Sequence, residues 1–320
     1  MPTSSRLLPR ADTFRSQALG LAWGAWTELG VSGWTTTHTD WAIDPEPLIV
    51  LTAYLGDSDA RLRDEATDWC IRNWRFVSKA RLRNVARSGH EALGGPYGEF
   101  AATVNEHAGA KWPDATVARR YRPTRRSVLP PLDRPSMAWL RLRAIFGLGA
   151  RTEVIRYFLA HSEFETVARV AAACGYTKRN VAAECEALRQ AGVLRARTVG
   201  NRFYFALARR SGLEEFVGEI ADVRPNWLAM LNVTTVLVEL EGELDGAASR
   251  VAPVKIRKAL TRIAPDLSDL DVDNPSADLR GEELVPALRV LGRQTLGNWS
   301  AGNWAPDSRT VVASPTTAPH

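Results

Sequence analysis

CGYTKRNVAAECEALRQAGVLRARTVGNRFYFAL, residues 174–207, contains the signals of a helix followed by a β-hairpin. Thr177 is a good N-cap, because its hydroxyl can accept a hydrogen bond from an amide of the first helical turn. The residues that follow, 178–190, place three apolar side chains on one face of a helix: Val181, Cys185 and Leu188. This half of the stretch therefore predicts a Thr-capped helix with one face in a core.

The second half of the stretch predicts the hairpin. Gly192 ends the helix, and the runs LRARTV (194–199) and RFYFAL (202–207) are rich in residues that favour strands. Gly200 and Asn201 join the two runs, and a two-residue connection of this composition is typical of a tight hairpin turn. We therefore expect two short antiparallel strands directly after the helix.

Two further helices are predicted upstream of the stretch. The run TEVIRYFLAHS, residues 152–162, has the apolar spacing of an amphipathic helix. The run TVARVAAAC, residues 166–174, predicts a second helix, which ends at Gly175. The predicted order is thus helix, helix, tight turn, Thr-capped helix and basic hairpin.

This order resembles the winged helix-turn-helix of bacterial transcriptional regulators such as the MarR and ArsR groups. The likeness covers about residues 150–210, and EALRQAGVLRARTVGNRFYFAL is its most specific part. The resemblance implies a mainly α fold, with a central winged helix-turn-helix of three helices plus a β-hairpin wing. Because the sequence on either side has helical patterns, this unit is expected to lie between two helical domains.

The start of the Thr-capped helix is the predicted DNA-binding surface. A helix N-terminus attracts phosphate through its dipole and free amides, and Arg and Asn side chains can contact guanine and adenine edges. Strand alternation places Arg195 and Arg197 on one face of the wing, which in this class lies along the DNA backbone or in the minor groove. The predicted DNA-binding residues are Thr177, Lys178, Arg179, Asn180, Arg195, Arg197, Asn201 and Arg202.

A second basic stretch, RNWRFVSKARLRNVARS, covers residues 72–88. It predicts a helix capped by Ser78 that carries several cationic side chains. Two interpretations stay open: further contacts to the DNA backbone, or an ordinary solvated helix face. The residues concerned are Arg75, Lys79, Arg81 and Arg83.

Charge divides the chain into three parts. Residues 137–210 carry 13 Lys and Arg against 5 Asp and Glu, whereas residues 1–136 carry 18 against 15. Residues 211–320 carry 10 against 16, so a basic centre lies before an acidic C-terminal part. This distribution favours nucleic acid as the partner of the central part.

The same composition predicts the domain boundaries. A Trp-rich helical unit, 1–118, precedes a linker, 119–136, in which four prolines among closely spaced arginines exclude a helix. The winged helix-turn-helix occupies 137–210, and an acidic helical unit for dimerisation or partner binding occupies 211–304. The proline-containing tail, 305–320, is predicted to be disordered.

Helical patterns dominate both outer units. In the first unit, Gly94, Gly95 and Pro96 predict the start of an irregular stretch, and the tryptophans either form a core or line a ligand pocket. In the last unit, the apolar helix predicted from Trp227 is a candidate dimer contact. The helical patterns cover about residues 14–30, 47–55, 58–73, 79–88, 227–244, 254–263 and 283–299.

The motifs of common enzymes and metal sites are absent from the sequence. It has no Gly-rich phosphate loop, no GxSxG and no HExxH, and its five histidines lack ligand spacing. Cys70, Cys174 and Cys185 form no CxxC pair, and Cys185 falls on the apolar stripe, which favours packing over metal sensing. We therefore expect neither enzymatic activity nor a cofactor or metal.

The expected compartment is the cytoplasm. The N-terminal sequence lacks the apolar run of a signal peptide, and no stretch has the length and hydrophobicity of a membrane span. The three cysteines are an odd number, so they cannot all be paired in disulfides. No membrane is therefore expected as a partner.

Two functions from different classes fit these patterns. The first is a sequence-specific transcriptional regulator, a repressor that binds double-stranded DNA as a homodimer, because two-fold pairing doubles the base pairs contacted. The alternative is an antitoxin-like interaction protein, whose winged helix regulates its own operon while its other domains neutralise a toxin such as a nucleotidyltransferase. No pattern identifies a small-molecule effector.

Overall fold

The computed structural model describes residues 13–87, 91–245 and 251–304. Over these ranges the chain is mainly helical, with a small three-stranded antiparallel sheet, which confirms the predicted mainly α class. The disorder predicted for 305–320 lies outside the described residues. None of the described helices is both long and apolar enough to cross a membrane.

The described residues of the first part of the chain form five α-helices, and the first and third of these begin at residues whose side chains cap them. The Thr13 hydroxyl accepts a hydrogen bond from the Ser16 amide, and the Asp59 carboxylate accepts one from the Leu62 amide. Each bond satisfies an amide that the helix itself leaves without a partner. These helices are α1 (Phe14–Glu28), α2 (Pro45–Leu55), α3 (Ala60–Asn73), α4 (Lys79–Arg87) and α5 (Glu91–Ala108).

Helix α5 continues through Gly94, Gly95 and Pro96, so the irregular stretch predicted there is wrong. An interior proline costs a helix about 3 kcal/mol. Against this, large apolar side chains contribute about 1.5–3 kcal/mol each when they are fully buried. The buried side chains recur at helical spacing along α5: Leu93, Tyr97, Phe100, Ala101 and Val104.

The predicted linker is extended and ordered along α3. The hydroxyl of Tyr121 donates to the carbonyl of Asp64 at 3.0 Å, and the amide of Arg125 donates to the Asp68 carboxylate at 2.6 Å. At its far end, the amide of Val128 donates to the carbonyl of Gly30 at 3.1 Å. We call residues 119–128 the strap.

The central part of the chain packs helices around one sheet. The strands pair in the order β1-β3-β2, and both pairs are antiparallel. The helix at 178–190 and both hairpin strands have the predicted bounds, whereas β1 was not predicted. The elements are α6 (Ala138–Phe146), α7 (Ala150–Ala160), β1 (Glu165–Thr166), α8 (Val167–Cys174), α9 (Lys178–Gln190), β2 (Leu194–Val199), β3 (Arg202–Leu207) and α10 (Arg210–Val217).

The last part of the chain is helical, as predicted. Its longest helix, α11, is buried along most of its length and contacts α1 and α2 as well as its own neighbours. The expectation that this apolar helix supplies a dimer contact is therefore wrong, because the intramolecular core already covers it. The helices are α11 (Trp227–Leu244), α12 (Ala252–Arg262), α13 (Ala264–Asp269), α14 (Leu284–Gly292) and α15 (Asn298–Ser300), with a π-helical turn (Arg293–Gly297) before the last.

Two apolar cores result from this packing. The first combines α1–α5 with α11–α15, and the second lies among α6–α10 and the sheet. Trp26, Trp41 and Trp69 are fully buried in the first core, which confirms the core interpretation for these tryptophans. The N-terminal and C-terminal helices thus share one core, although the chain between them forms another.

Candidate nucleic-acid interface

Helix α9 has one buried and one exposed face at its start. Gly175 ends α8 in the left-handed conformation (φ +67°), and the Thr177 hydroxyl then accepts a hydrogen bond from the Asn180 amide at 3.3 Å. Residues 177–180 are all exposed, whereas Val181 and the rest of the apolar stripe are buried. The predicted division of the helix into two faces is therefore confirmed, while its contact with DNA stays a prediction.

The cysteines near this helix have packing roles. Cys174 and Cys185 are fully buried, and burial raises the pKa of each thiol to about 12. The Cys174 thiol donates to the carbonyl of Glu153 at 3.2 Å. Within the described ranges, no group of three or more His, Cys, Asp or Glu residues is placed to hold a metal ion.

The β2–β3 hairpin presents arginines on one face. Its register opposes Arg197 to Tyr204 and Val199 to Arg202, so that Arg195, Arg197 and Arg202 share a face. The guanidiniums of Arg195 and Arg197 lie over the Phe164 ring, 5.0 and 4.3 Å from its centroid. Such cation–π contacts at exposed sites contribute about 0.5–1 kcal/mol. They leave the N–H groups along the edge of each guanidinium free to donate.

The turn before α9 is bonded to α4. The hydroxyls of Ser78 and Tyr176 lie 2.8 Å apart, and the Asn84 side-chain amide donates to the Gly175 carbonyl at 2.8 Å. The guanidinium of Arg81 donates to the carbonyl of Cys174 at 2.9 Å. The structure thereby brings the second basic stretch next to the start of α9, which sequence spacing alone does not predict.

Three of the four cations singled out in that second stretch are exposed. Lys79 and Arg83 lie on the outer face of α4. Arg75 is also exposed, and the cationic groups of Arg75 and Lys79 lie 4.9 and 5.7 Å from the Trp74 ring centroid. Lys79 directly follows Ser78, the residue that bonds to Tyr176 in the turn before α9.

The fourth cation, Arg81, cannot contact DNA. Its side chain is fully buried, and its two terminal nitrogens donate to the Asp44 carboxylate at 2.6 and 2.7 Å. The prediction of a DNA-backbone contact is therefore wrong for this residue. Its burial could not be recognised from local sequence, because the carboxylates that pair with it are distant in sequence. It belongs to an ion cluster between the two cores, composed of Asp44, Glu46, Arg81, Arg143, Glu153 and Arg156.

The ion cluster balances three cations with three carboxylates. Burial opposes ionisation of Asp44, but the neighbouring guanidiniums, Arg81 first, hold its pKa far below the usual range. The same opposition brings the pKa of Glu153 to about 2. These two carboxylates are therefore charged at neutral pH, and each needs its arginine partners in place.

An exposed apolar surface lies beside the central helices and was missed in the sequence. Ile145, Leu148 and Phe216 are 42%, 45% and 66% exposed, and the rings of Phe146 and Phe216 lie 6.3 Å apart. The available signal is the run AIFGLGA, residues 144–150, which is wholly apolar and interrupted by two glycines. Clusters of exposed apolar side chains occur at protein interaction sites, and this surface is a candidate for one.

Comparison of the chain with protein-family models, with curated proteins and with solved structures finds no match.

Proposed function

We propose that the protein is a cytoplasmic, sequence-specific transcriptional regulator that binds double-stranded DNA through a winged helix-turn-helix formed by α7, α8, α9 and the β2–β3 wing. The observation that carries the proposal is the start of α9, where Lys178, Arg179 and Asn180 are exposed together at a capped N-terminus. The protein acts as a repressor, because occupying an operator is by itself sufficient to block transcription.

Helix α9 has the size and surface to enter the major groove. An α-helix with its side chains is about 10–12 Å across, and the groove is about 12 Å wide. Ala182 and Ala183 are exposed beside the cationic turn and keep that surface narrow. In this arrangement Arg179 contacts guanine, Asn180 contacts adenine, and Lys178 neutralises a phosphate.

The wing supplies a second set of contacts. Asn201 and Arg202 are exposed at its tip, and Arg195 and Arg197 are exposed along its strand. Cations on a short hairpin can follow the backbone or enter the minor groove, where the potential is most negative at narrow A·T steps. We assign these residues to phosphate and minor-groove contacts.

The regulator acts as a homodimer through the apolar surface of Ile145, Leu148 and Phe216. A two-fold interface uses the same surface on both copies, and apolar residues at its centre exclude water on both sides. Pairing of this kind presents two α9 helices to one DNA duplex.

A gel-shift assay on DNA from upstream of its own gene tests this function. At low salt the unmutated protein is expected to bind, and Arg179→Ala and Arg197→Ala are each expected to weaken binding by roughly 10-fold or more. Arg189→Ala is the matched control, because Arg189 is exposed at the opposite end of α9, paired with Glu186. Absence of binding by the unmutated protein overturns the proposal, and a co-purifying toxin would support the antitoxin alternative.

A further inference from the structure

Half-buried and exposed residues alternate in the first part of the strap, residues 119–124. Arg119, Tyr121 and Pro123 are half-buried against the helices, while the residues between them are exposed. Because the backbone is extended, Arg120 and Arg122 lie on its outer side about 7 Å apart. The strap thus holds its arginines in a row along the surface.

Two acidic residues beneath the strap, Asp64 and Asp68, are occupied by other groups. The Asp64 carboxylate pairs with Arg119 at 2.6 Å, and the Asp68 carboxylate accepts hydrogen bonds from the backbone amides of residues 125 and 127. Among the residues that the structure describes, no carboxylate forms an ion pair with Arg120, Arg122 or Arg125. These three side chains are therefore exposed and without a direct carboxylate partner.

The conformation of the strap is specified by its contacts. Arg125 has a positive φ of 59°, which is uncommon for a residue other than glycine. Its amide is held by Asp68, and its carbonyl accepts a hydrogen bond from the guanidinium of Arg72 at 2.9 Å. A backbone fixed on both sides places the Arg125 side chain at the surface.

Contacts connect the strap to the start of α9. The guanidinium of Arg72 donates to the strap carbonyl of residue 125, and the cationic groups of Arg75 and Lys79 lie close to the Trp74 ring. Ser78 then bonds to Tyr176, the residue before the α9 cap. We call the exposed cations along this path the basic track: Arg120, Arg122, Arg125, Arg72, Arg75 and Lys79.

We propose that the basic track binds the phosphate backbone of the same DNA duplex that α9 contacts, beyond the base pairs that α9 reaches. The inference rests on the proposed function. A duplex carries one negative charge per about 1.7 Å of its axis, so a row of exposed arginines is complementary to it in charge. Continuity with α9 favours DNA over an acidic protein as the ligand.

The salt dependence of DNA binding tests the proposal. The unmutated protein is compared with Arg120→Gln/Arg122→Gln/Arg125→Gln, and the dissociation constant is measured over a range of salt concentrations. Three lost phosphate contacts are expected to reduce the slope of log affinity against log salt by about 3, since each contributes about 0.9. The preference for the specific site over a scrambled duplex is expected to stay the same, because phosphate contacts carry no sequence information.

Two control variants separate charge from folding. Lys258→Gln/Arg289→Gln/Arg293→Gln removes the same charge from exposed positions of the C-terminal helices and is expected to leave the slope unchanged. Replacing the three strap arginines by lysine keeps the charge and is expected to keep the slope.

The possible failures are distinguishable. If the unmutated protein binds DNA and the glutamine variant has the same slope, the inference is overturned and the proposed function stands. If the glutamine and lysine variants reduce the slope of log affinity against log salt by the same amount, the effect is one of folding, and the inference is likewise overturned. If the unmutated protein binds an acidic protein but no DNA, both proposals fall.

Discussion

The hydroxyl oxygens of Ser78 and Tyr176 lie 2.8 Å apart and join two segments that are 98 residues apart in sequence. Ser78 also caps α4, because its hydroxyl accepts a hydrogen bond from the Arg81 amide. Tyr176 directly precedes Thr177, the cap of α9. The first core therefore holds the helix that we propose to enter the DNA groove.

Removing the Tyr176 hydroxyl is expected to weaken this attachment. We predict that Tyr176→Phe lowers the free energy of unfolding by about 0.5–1.5 kcal/mol, the net contribution of one hydrogen bond. Urea denaturation measures the change. Tyr204→Phe, which changes a half-buried tyrosine of the wing, is the control and is expected to have a smaller effect; equal losses would contradict a role for the Ser78–Tyr176 bond.

Replacing Arg81 is expected to be strongly destabilising. Arg81→Met leaves Asp44 charged and buried without its closest partner, and losing one member of a buried ion pair costs about 3–5 kcal/mol. Arg83→Met, two residues along the same helix but exposed, is expected to change stability by less than about 0.5 kcal/mol. Similar unfolding midpoints for the two variants would show that Arg81 is not structural.

The pH dependence of stability is expected to have a component from His38. Its ring is fully buried, and its Nε2 donates to the Trp299 carbonyl at 2.7 Å. Burial lowers the pKa of His38, so the unfolded chain binds the proton more readily than the folded protein does. The free energy of unfolding therefore falls as pH drops below about 6.5, by up to roughly 1.4 kcal/mol per pH unit.

Urea denaturation between about pH 7 and pH 5 checks this component. In His38→Gln the free energy of unfolding is expected to fall less steeply with decreasing pH than in the unmutated protein, because the glutamine takes up no proton at this position. His107→Gln changes an exposed residue and serves as the control. If the free energy of unfolding depends on pH in His38→Gln as it does in the unmutated protein, the pH-dependent component does not come from His38.

Dimerisation is expected to depend on the apolar surface. We predict that Phe216→Glu converts a dimer into a monomer in analytical ultracentrifugation, because two buried carboxylates would oppose each other across a two-fold interface. Val254 is as exposed as Phe216 but lies on α12, so Val254→Glu should remain dimeric. If the unmutated protein is itself monomeric, this surface is not a dimer contact.

Local signals explain why α9 and the hairpin could be predicted from the sequence. The Thr177 cap, the apolar spacing and the Gly200-Asn201 turn all act within a few residues of the structure they determine. The start of α9 was identified for the same reason, since the residues of one helical turn are neighbours in sequence.

Distant contacts explain what the sequence did not predict. Arg81 looks like a surface cation in its own helix, and carboxylates distant in sequence, such as Asp44, 37 residues away, make it a buried ion-pair partner. In α5, burial of the aromatic side chains outweighs the local breakers around Pro96. The shared core of α1 and α11, like the contact between α4 and the turn before α9, depends on segments that no local pattern connects.

The discrimination between specific and non-specific DNA tests the central claim most directly. Duplexes enriched from a random library by the unmutated protein are compared with scrambled duplexes of the same composition, at physiological salt. We predict affinities that differ by about 1,000-fold or more, and a collapse of this ratio in Arg179→Ala/Asn180→Ala with non-specific binding retained. A ratio near one for the unmutated protein, or a ratio unaffected by the double substitution, would contradict the account.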